Sequence, residues 1–235
     1  RDLLARVSWV KLCGLTSLGE VAMCASAGAD ALGFVVEYPA EVPWNLTLGE
    51  ARELVAAVPA GVERVMVAGD DAGLVLAHAE ALRPDAVQLH ADEAPATTQE
   101  LARELKAMGV GVIKALRFSV ETGEVLTGHD SPPDPVDAAR RLTQLGVEHL
   151  LVDSVSRTHV AGTGQPVDFS MARRIRDEVP APVILAGGLR PDNVGAAIRA
   201  VAPHGVDVIS GVEARRRVKD PAKVAAFIEA ARGIA

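Results

Sequence analysis

Aromatic side chains are scarce in this chain, and phenylalanine, tryptophan and tyrosine together make up only 3% of its 235 residues. Because 49% of the residues are nevertheless hydrophobic, alanine, valine and leucine must fill a core large enough for one big domain or two small ones. The chain also lacks any apolar run of the roughly 18 residues that a membrane-spanning helix needs. We therefore expect no membrane partner.

Cysteine is almost absent, since the chain has only Cys13 and Cys24. Two cysteines are too few for a disulfide framework, and their spacing is not that of metal ligands, so no metal site is predicted. Reduced cysteines, together with an N-terminal Arg1-Asp2 that does not begin a signal peptide, predict a soluble, cytoplasmic protein. Cys24 falls on the apolar side of the first predicted helix and is expected in the core.

Positive charge is in deficit as well, because 24 lysines and arginines face 31 aspartates and glutamates, for a net charge of −7. The one basic run is Arg215-Arg216-Arg217, which we expect to be solvated. Nucleic-acid binding domains concentrate basic residues on one face, so no nucleic-acid partner is expected.

The rest of the chain alternates short apolar strands with amphipathic helices. Strands are predicted at residues 7–13, 31–36, 62–67, 85–89, 110–115, 148–153, 182–186 and 206–209. Helices are predicted at residues 17–28, 47–57, 71–82, 96–108, 135–145, 168–178, 191–201 and 220–232. Eight such units predict a single (β/α)₈ TIM barrel over residues 1–235, with an open doubly wound sheet as the alternative. No Gly-x-Gly-x-x-Gly follows the first strand, which argues against a dinucleotide site.

Two segments interrupt this rhythm, at residues 37–46 after strand two and 117–134 after strand five. Both are predicted to be long, proline-containing loops. Active sites of TIM barrels are built from the loops that follow the strands, so either loop could contact a substrate. A plain surface insertion is the alternative for the second.

Cys13 stands at the end of the first predicted strand, just before a glycine turn. Lys11 lies two residues earlier and hence on the same strand face. An ammonium beside a thiol favours the thiolate, which can abstract a proton, although a small buried cysteine with no chemical role remains the alternative. Asp153 ends strand six in the same way and, with Cys13, would supply an acid and a base from two strands.

Glycine-rich turns follow the last three strands. Glycine lets backbone N–H groups approach an anion closely, and TIM barrels commonly bind phosphate after strands seven and eight. These turns predict a phosphate-bearing, small-molecule substrate. The candidate binding residues are Gly162, Gly164, Gly187, Gly188, Ser210 and Gly211.

Seven ordered stretches of the chain together resemble the phosphoribosylanthranilate isomerase family of tryptophan biosynthesis. They are VKLCGLT (10–16), GADALGF (28–34), VQLH (87–90), LLVDS (150–154), GTG (162–164), LAGGLRPDN (185–193) and VDVISGVE (206–213). The resemblance implies a TIM barrel that needs no cofactor. It also implies an Amadori rearrangement of an N-(5-phosphoribosyl)amine to a 1-amino-1-deoxyribulose 5-phosphate.

By the resemblance, Cys13 matches the family's general base and Asp153 its general acid, and the glycine turns match its phosphate cradle. Burial should then raise the pKa of Asp153, and Lys11 should lower the pKa of Cys13. His90 would line the pocket or orient a neighbouring loop, and Asp207 would meet substrate hydroxyls or satisfy backbone groups.

The chain departs from the family in the loop after strand two. Family members carry a Ser-x-Arg stretch there, whose arginine pairs with the anthranilate carboxylate, and this chain has Pro43 or Trp44 instead. In strand three, Met66 could fill pocket volume. Glu213 and Lys219 are expected at a helix entry.

Three accounts of this departure stay open. Another arginine, for instance Arg117 or Arg157, could bind the carboxylate. The enzyme could instead act on a different amine, such as an aromatic one stacked on Trp44. A non-catalytic phosphosugar-binding protein is the third, although phosphate binding alone requires neither Cys13 nor Asp153. The sequence allows either a monomer or a homodimer.

Overall fold

Eight parallel strands form a closed barrel in the computed structural model, which describes residues 7–119, 122–127, 132–155 and 169–233. The barrel is closed because the first strand pairs with both the second and the last. In the backbone register, Lys11 pairs with Ala31 on one side and with Asp207 on the other. The barrel strands are β1 (Trp9–Cys13), β2 (Ala31–Val36), β3 (Glu63–Ala68), β4 (Ala86–Leu89), β5 (Gly111–Ser119), β6 (His149–Val155), β7 (Val183–Ala186) and β8 (Gly205–Val208).

Helices follow the strands and cover the outside of the barrel. Among the described residues, five helices begin at a serine, threonine or aspartate whose side chain accepts hydrogen bonds from first-turn N–H groups, at Ser17, Thr47, Asp71, Asp134 and Asp220. These caps fix where each βα loop ends. The helices are α1 (Leu18–Ser26), α2 (Leu48–Ala56), α3 (Ala72–Leu82), α4 (Pro95–Ala107), α5 (Pro135–Thr143), α6 (Phe169–Glu178), α7 (Val194–Val201) and α8 (Pro221–Arg232).

Strand residues alternate between two cores. One set faces the helices in a large apolar layer, and the other fills the barrel interior with small and branched side chains, including Val65 and Ile113. Met66 belongs to the helix-facing layer and is 1% exposed, so the expectation that it fills pocket volume is wrong. Cys24 is buried in the same layer, as predicted.

The predicted barrel is confirmed, and the open-sheet alternative is wrong. The largest shift in a boundary is in β5, which runs to Ser119, so the segment 117–134 begins as strand rather than loop. The loop at 37–46 contains a two-residue strand, Asn45–Leu46, that pairs with the end of β2. Backbone pairing in both segments extends the sheet past the point where apolar patterning stops.

The segment between β8 and α8 is a short hairpin of strands Glu213–Arg215 and Val218–Lys219, preceded by one turn of 3₁₀-helix at Ser210–Val212. The three arginines at its turn are exposed, as predicted. Over the described residues, no helix is long and apolar enough to cross a membrane.

Candidate active site

The inner face of the barrel brings Cys13, Lys11 and Asp207 together at the carboxyl ends of β1 and β8. Gly33 on the neighbouring strand makes room for them, since a Cβ there would lie 2.5 Å from Cys13 Sγ and 2.9 Å from Lys11 Cε. A side chain at residue 33 would therefore displace the thiol and the amine, and both are fully enclosed.

Lys11 forms an ion pair with Asp207, with 3.0 Å between Nζ and Oδ1, and the two side chains are 0% and 6% exposed. Burial alone would lower the pKa of Lys11, but the Asp207 carboxylate and the Cys13 thiol outweigh it, and the pKa lies above its usual value. Lys11 therefore carries a permanent positive charge. The sequence predicts that Asp207 meets substrate hydroxyls or satisfies backbone groups, and in the structure its Oδ1 accepts from Lys11 Nζ instead.

Cys13 differs from the expectation. Lys11 does lower the pKa of the Cys13 thiol, but burial raises it more and the Asp207 carboxylate adds to the rise, so the pKa lies above its usual value. The predicted effect of Lys11 is present, but the cost of enclosing a thiolate exceeds it. At neutral pH the thiol is protonated.

Asp153 lies at the end of β6, partly exposed at the mouth of the barrel. Burial raises the pKa of Asp153 to about 7, the Asp207 carboxylate contributes to the rise, and Arg117 opposes it. The predicted direction is confirmed. A carboxyl group with this pKa holds its proton in a large fraction of molecules near neutral pH and can give it away.

His90 follows β4 on the same inner face and is neutral, because burial and the charge of Arg117 lower its pKa to about 3. Its Nδ1 lies 3.2 Å from Gln88 Nε2, and with the Gln88 amide in this orientation the nitrogen donates to Nδ1, which leaves the His90 proton on Nε2. Among the described residues, the buried Gln88 Oε1 has no hydrogen-bond partner. Gln88 and His90 thus offer an acceptor and a donor to a ligand.

The glycine turns that are predicted to bind phosphate lie at the opposite side of the barrel mouth. Gly187 and Gly188 have φ of +87° and +60°, and Asn193 Nδ2 donates to Gly188 O at 3.0 Å. A Cβ on Gly211 would lie 1.8 Å from Leu189 O, so only glycine lets the turns after β7 and β8 meet. Ser210 begins the 3₁₀ turn beside them. The third turn, with Gly162 and Gly164, lies outside the described residues.

This geometry agrees with the comparisons. The family model described as "N-(5'phosphoribosyl)anthranilate (PRA) isomerase" matches residues 10–230. The chain belongs to this family. An N-(5'-phosphoribosyl)anthranilate isomerase of Methanosarcina mazei is 39% identical over 226 residues, covering 95% of this chain and 94% of the relative. One of Haloferax volcanii is also 39% identical, covering 95% and 92%.

Solved structures of phosphoribosylanthranilate isomerases have the same fold. The enzyme from Thermotoga maritima is 34% identical with a TM-score of 0.77, over 96% of this chain and 98% of that one. A second is a phosphoribosylanthranilate isomerase in complex with reduced 1-(o-carboxyphenylamino)-1-deoxyribulose 5-phosphate. It is 33% identical, with a TM-score of 0.74 and the same coverage.

In the loop after β2, where the sequence predicts a departure from the isomerase family, Trp44 folds onto the site. Its indole packs against the turn at Gly14 and joins Cys13 and Val67 in a small apolar cluster. The indole Nε1 donates to Glu213 Oε1 at 2.6 Å. Trp44 therefore forms one wall beside the candidate base.

Glu213 is held in turn by Lys219, with 3.3 Å between Oε1 and Nζ, and Lys219 also donates to Ile209 O at 2.9 Å. Lys219 directly precedes Asp220, the N-cap of α8, as expected of a helix-entry residue, whereas Glu213 lies in the first strand of the hairpin and the expectation is wrong for it. They form a buried ion pair in the hairpin that supports Trp44.

Sequence reasoning missed Gln88 as a site residue, although its position two residues before His90 already placed it on the same strand face. It also missed the Trp44–Glu213 contact, which joins residues 169 positions apart and leaves no local signal. Arg157, one of the two suggested carboxylate partners, lies outside the described residues. Arg117, the other, is on the inner face of β5 next to Asp153.

Proposed function

We propose that this chain catalyses the Amadori rearrangement of N-(5-phosphoribosyl)anthranilate to 1-(2-carboxyphenylamino)-1-deoxyribulose 5-phosphate. The observation that carries the proposal is the placement of a thiol beside a permanent cation, and of a carboxyl group with a pKa of about 7, on the inner face of one barrel mouth. Membership of the family and the names of the relatives support the substrate.

Asp153 is the proposed general acid. Its proton goes to the ring oxygen of the ribose, the bond from C1 to that oxygen breaks, and the nitrogen lone pair forms an iminium. The carboxylate left behind is stabilised by the charge of Arg117, which lowers the pKa of Asp153. One well-placed acid or base typically accelerates proton transfer by about 10²–10⁴-fold.

Cys13 is the proposed general base. As a thiolate it removes the proton on C2, and the electron pair of that bond forms the enolamine and neutralises the iminium nitrogen. The enolamine then takes up a proton at C1 and loses the proton of its hydroxyl group, giving the ketone. Because burial keeps Cys13 protonated beforehand, the thiol first gives its proton to water, and the iminium cation and Lys11 both favour the thiolate that results.

The phosphate is proposed to bind at Gly187, Gly188, Ser210 and Gly211, together with Gly162 and Gly164 of the third turn. The close approach of Gly211 to Leu189 supports this, since side chains there would separate the two turns. Lys11, Asp207 and His90 are proposed as supporting residues. The mechanism uses only groups of the protein and draws on no cofactor.

A second candidate function is the same rearrangement on a different aromatic amine. It is favoured by one observation, the indole of Trp44 in the loop where the family's arginine is expected. A phosphosugar-binding protein without activity is the third and weakest candidate, because binding a phosphate needs no acid or base.

Turnover of freshly formed phosphoribosylanthranilate, followed by the loss of substrate fluorescence, tests these candidates. Turnover that is abolished in Cys13→Ser supports the proposed function. Binding of a reduced product analogue without turnover of the anthranilate substrate contradicts it, and turnover of other phosphoribosylamines then favours the second candidate. Binding without turnover of any phosphoribosylamine leaves the third.

We further propose that residues 1–235 form one domain that acts in the cytoplasm as a monomer or homodimer. The two reduced cysteines fit a reducing compartment. A single cooperative unfolding transition is expected for one domain. Light scattering on the protein as it elutes from a size-exclusion column distinguishes a monomer from a homodimer. Cell fractionation tests the cytoplasmic location.

A further inference from the structure

The amine half of the proposed substrate carries a carboxylate, and an anion buried in a barrel mouth needs a cationic partner. Two cations near the mouth are already matched by acids within the protein. Lys11 pairs with the buried Asp207, and Lys219 pairs with the buried Glu213. Arg117 also pairs with an acid, Asp92, but it faces inward from β5 and its Nε has no partner among the described residues.

Arg117 lies beside the candidate acid. It is the direct neighbour of Asp153 in the pairing of β5 with β6, and its charge acts on Asp153, His90 and Tyr38. The side chain is 23% exposed. Most of the side chain is therefore enclosed, and the remaining fraction is open to solvent.

One edge of the guanidinium is fixed by the protein. Arg117 Nη2 donates to Asp92 Oδ1 at 2.5 Å and to Leu126 O at 3.4 Å, and its backbone N donates to Thr127 Oγ1 at 2.7 Å. Its Nε is buried, and among the described residues it has no hydrogen-bond partner. A buried donor without a partner is costly in a native protein, and a ligand oxygen would satisfy it.

Asp92, the partner of Arg117, lies in a loop that is held in place by contacts from the outer face of β5. Lys114 on the outer face of β5 pairs with Glu93 at 2.7 Å, and its Nζ also donates to Ala91 O at 2.9 Å. These contacts anchor the backbone on both sides of Asp92. Arg117 is thus preorganised, and a ligand that binds it need not order the side chain.

We propose that Arg117 binds the carboxylate of the substrate's amine half through Nε, in place of an arginine in the loop after β2. This assignment rests on the proposed function, because it takes the carboxylated amine as the substrate. An alternative is that Arg117 acts only through Asp153, by stabilising the carboxylate that remains after proton donation. The two roles differ in their dependence on the substrate's carboxylate.

The test compares two substrates, N-(5-phosphoribosyl)anthranilate and N-(5-phosphoribosyl)aniline, which lacks the carboxylate. For Arg117→Gln we expect kcat/KM to fall about 10- to 100-fold on the anthranilate substrate, mainly through KM, because a charge-assisted hydrogen bond is lost. On the aniline substrate we expect a smaller loss, the part that comes from removing the charge of Arg117 beside Asp153. Arg117→Lys should recover part of the loss, since it keeps the charge but not the planar geometry.

Arg64→Gln is the matched control, because Arg64 pairs with Asp85 at the other end of the barrel. It should leave both substrates unaffected. Equal losses on both substrates in Arg117→Gln, with a shift of the pH profile, would overturn the proposal and leave Arg117 as a partner of Asp153 alone.

A binding measurement separates this proposal from the proposed function. If the wild-type protein turns over neither substrate, the proposed function fails, and the affinities for reduced product analogues with and without the carboxylate decide the role of Arg117. A wild-type preference for the carboxylated analogue that Arg117→Gln removes supports the assignment. An equal affinity of the wild type for both analogues rejects it.

Discussion

Lys11 and Lys114 are both buried on barrel strands and each pairs with a buried carboxylate, but they lie on opposite faces of the barrel wall. Lys11 faces inward and pairs with Asp207 at 3.0 Å, whereas Lys114 faces the helices and pairs with Glu93 at 2.7 Å. Successive side chains of a strand point to opposite faces of the barrel wall. Lys11 occupies an inward-facing position of its strand, and Lys114 occupies an outward-facing position of its own. A buried lysine–carboxylate pair therefore lies inside the candidate site in one case and on the outer face of the barrel wall in the other.

The surroundings decide what each pair does. Burial lowers the pKa of Lys114 despite Glu93, whereas Asp207 and Cys13 together overcome burial and raise the pKa of Lys11. Lys114 also donates to the backbone of the loop after β4. The inner pair keeps a charge next to a thiol, and the outer pair fastens a loop. A buried ion pair is therefore evidence of function only through its neighbours.

The largest expected effect is the loss of activity on replacing Cys13, which faces the candidate site, compared with Cys24, which faces the helices. Cys13→Ser should lower kcat by about 10²–10⁴-fold, because a hydroxyl group is a far weaker base than a thiolate, while the affinity for a reduced product analogue is kept. Cys24→Ser is the control, since burial in the helix-facing layer raises the pKa of Cys24 to about 12 and keeps it inert. Steady-state kinetics and calorimetric binding check both. An unchanged kcat in Cys13→Ser would remove the thiol from the mechanism.

The outer ion pair should be replaceable, and the inner one should not. Lys114→Met alone should lower the free energy of unfolding by about 3–5 kcal/mol, because it leaves Glu93 buried without its partner. Replacing both residues, as Lys114→Met with Glu93→Leu, should recover most of that stability and keep kcat within about threefold, while KM should rise because the loop that holds Asp92 against Arg117 loses its anchor. Urea unfolding and kinetics measure these quantities.

The matching double variant on the inner face is Lys11→Met with Asp207→Leu. It should also recover stability relative to Lys11→Met alone, but its kcat should stay at least about tenfold below the wild type, because Cys13 has lost the adjacent charge. Full activity in this variant would mean that the inner pair is as dispensable as the outer one.

The pH dependence should follow Asp153. Because Asp153 must start protonated and Cys13 must be a thiolate, kcat/KM should rise about tenfold per pH unit up to about pH 7 and level off above it, where the loss of protonated Asp153 balances the gain in thiolate. The folded-state pKa lies above the unfolded value, so the protonated group stabilises the fold below about pH 4. That contribution is lost as the pH rises toward 7.

Asp153→Asn therefore should be more stable than the wild type at pH 8, by roughly 1–3 kcal/mol for this partly exposed group, and nearly equal at pH 4. Thermal unfolding at both pH values measures the difference. A wild-type protein that is the more stable one at pH 8 would mean that Asp153 is ionised without cost, as an ordinary surface carboxylate is.

The barrel could be predicted because the spacing of apolar residues in strands and helices depends only on residues that are close together in the sequence. The alternation of side chains along a strand placed Lys11 beside Cys13, and strand ends placed Asp153 at the mouth. The pKa of Cys13 could not be predicted, since it depends on how completely Gly33 and its neighbours enclose the thiol. The roles of Glu213 and Lys219 were also out of reach, because Trp44 is brought to them only by closure of the barrel.

The smallest expected effect concerns a third buried lysine pair, Lys219 with Glu213, which supports Trp44. Trp44→Phe keeps an aromatic ring against the Gly14 turn but removes the N–H that donates to Glu213. Because Lys219 still pairs with Glu213, no acceptor is left without a partner, and the expected loss is about 0.5–1.5 kcal/mol of stability.

If the Trp44 ring contacts the amine half of the substrate, its altered tilt should raise KM about two- to fivefold and leave kcat unchanged, since packing binds ground state and transition state alike. Trp9→Phe is the control, because Trp9 Nε1 donates to Glu63 at the amino end of the barrel. A kcat lowered by Trp44→Phe at constant KM would instead connect the Trp44–Glu213–Lys219 contacts to the placement of Cys13.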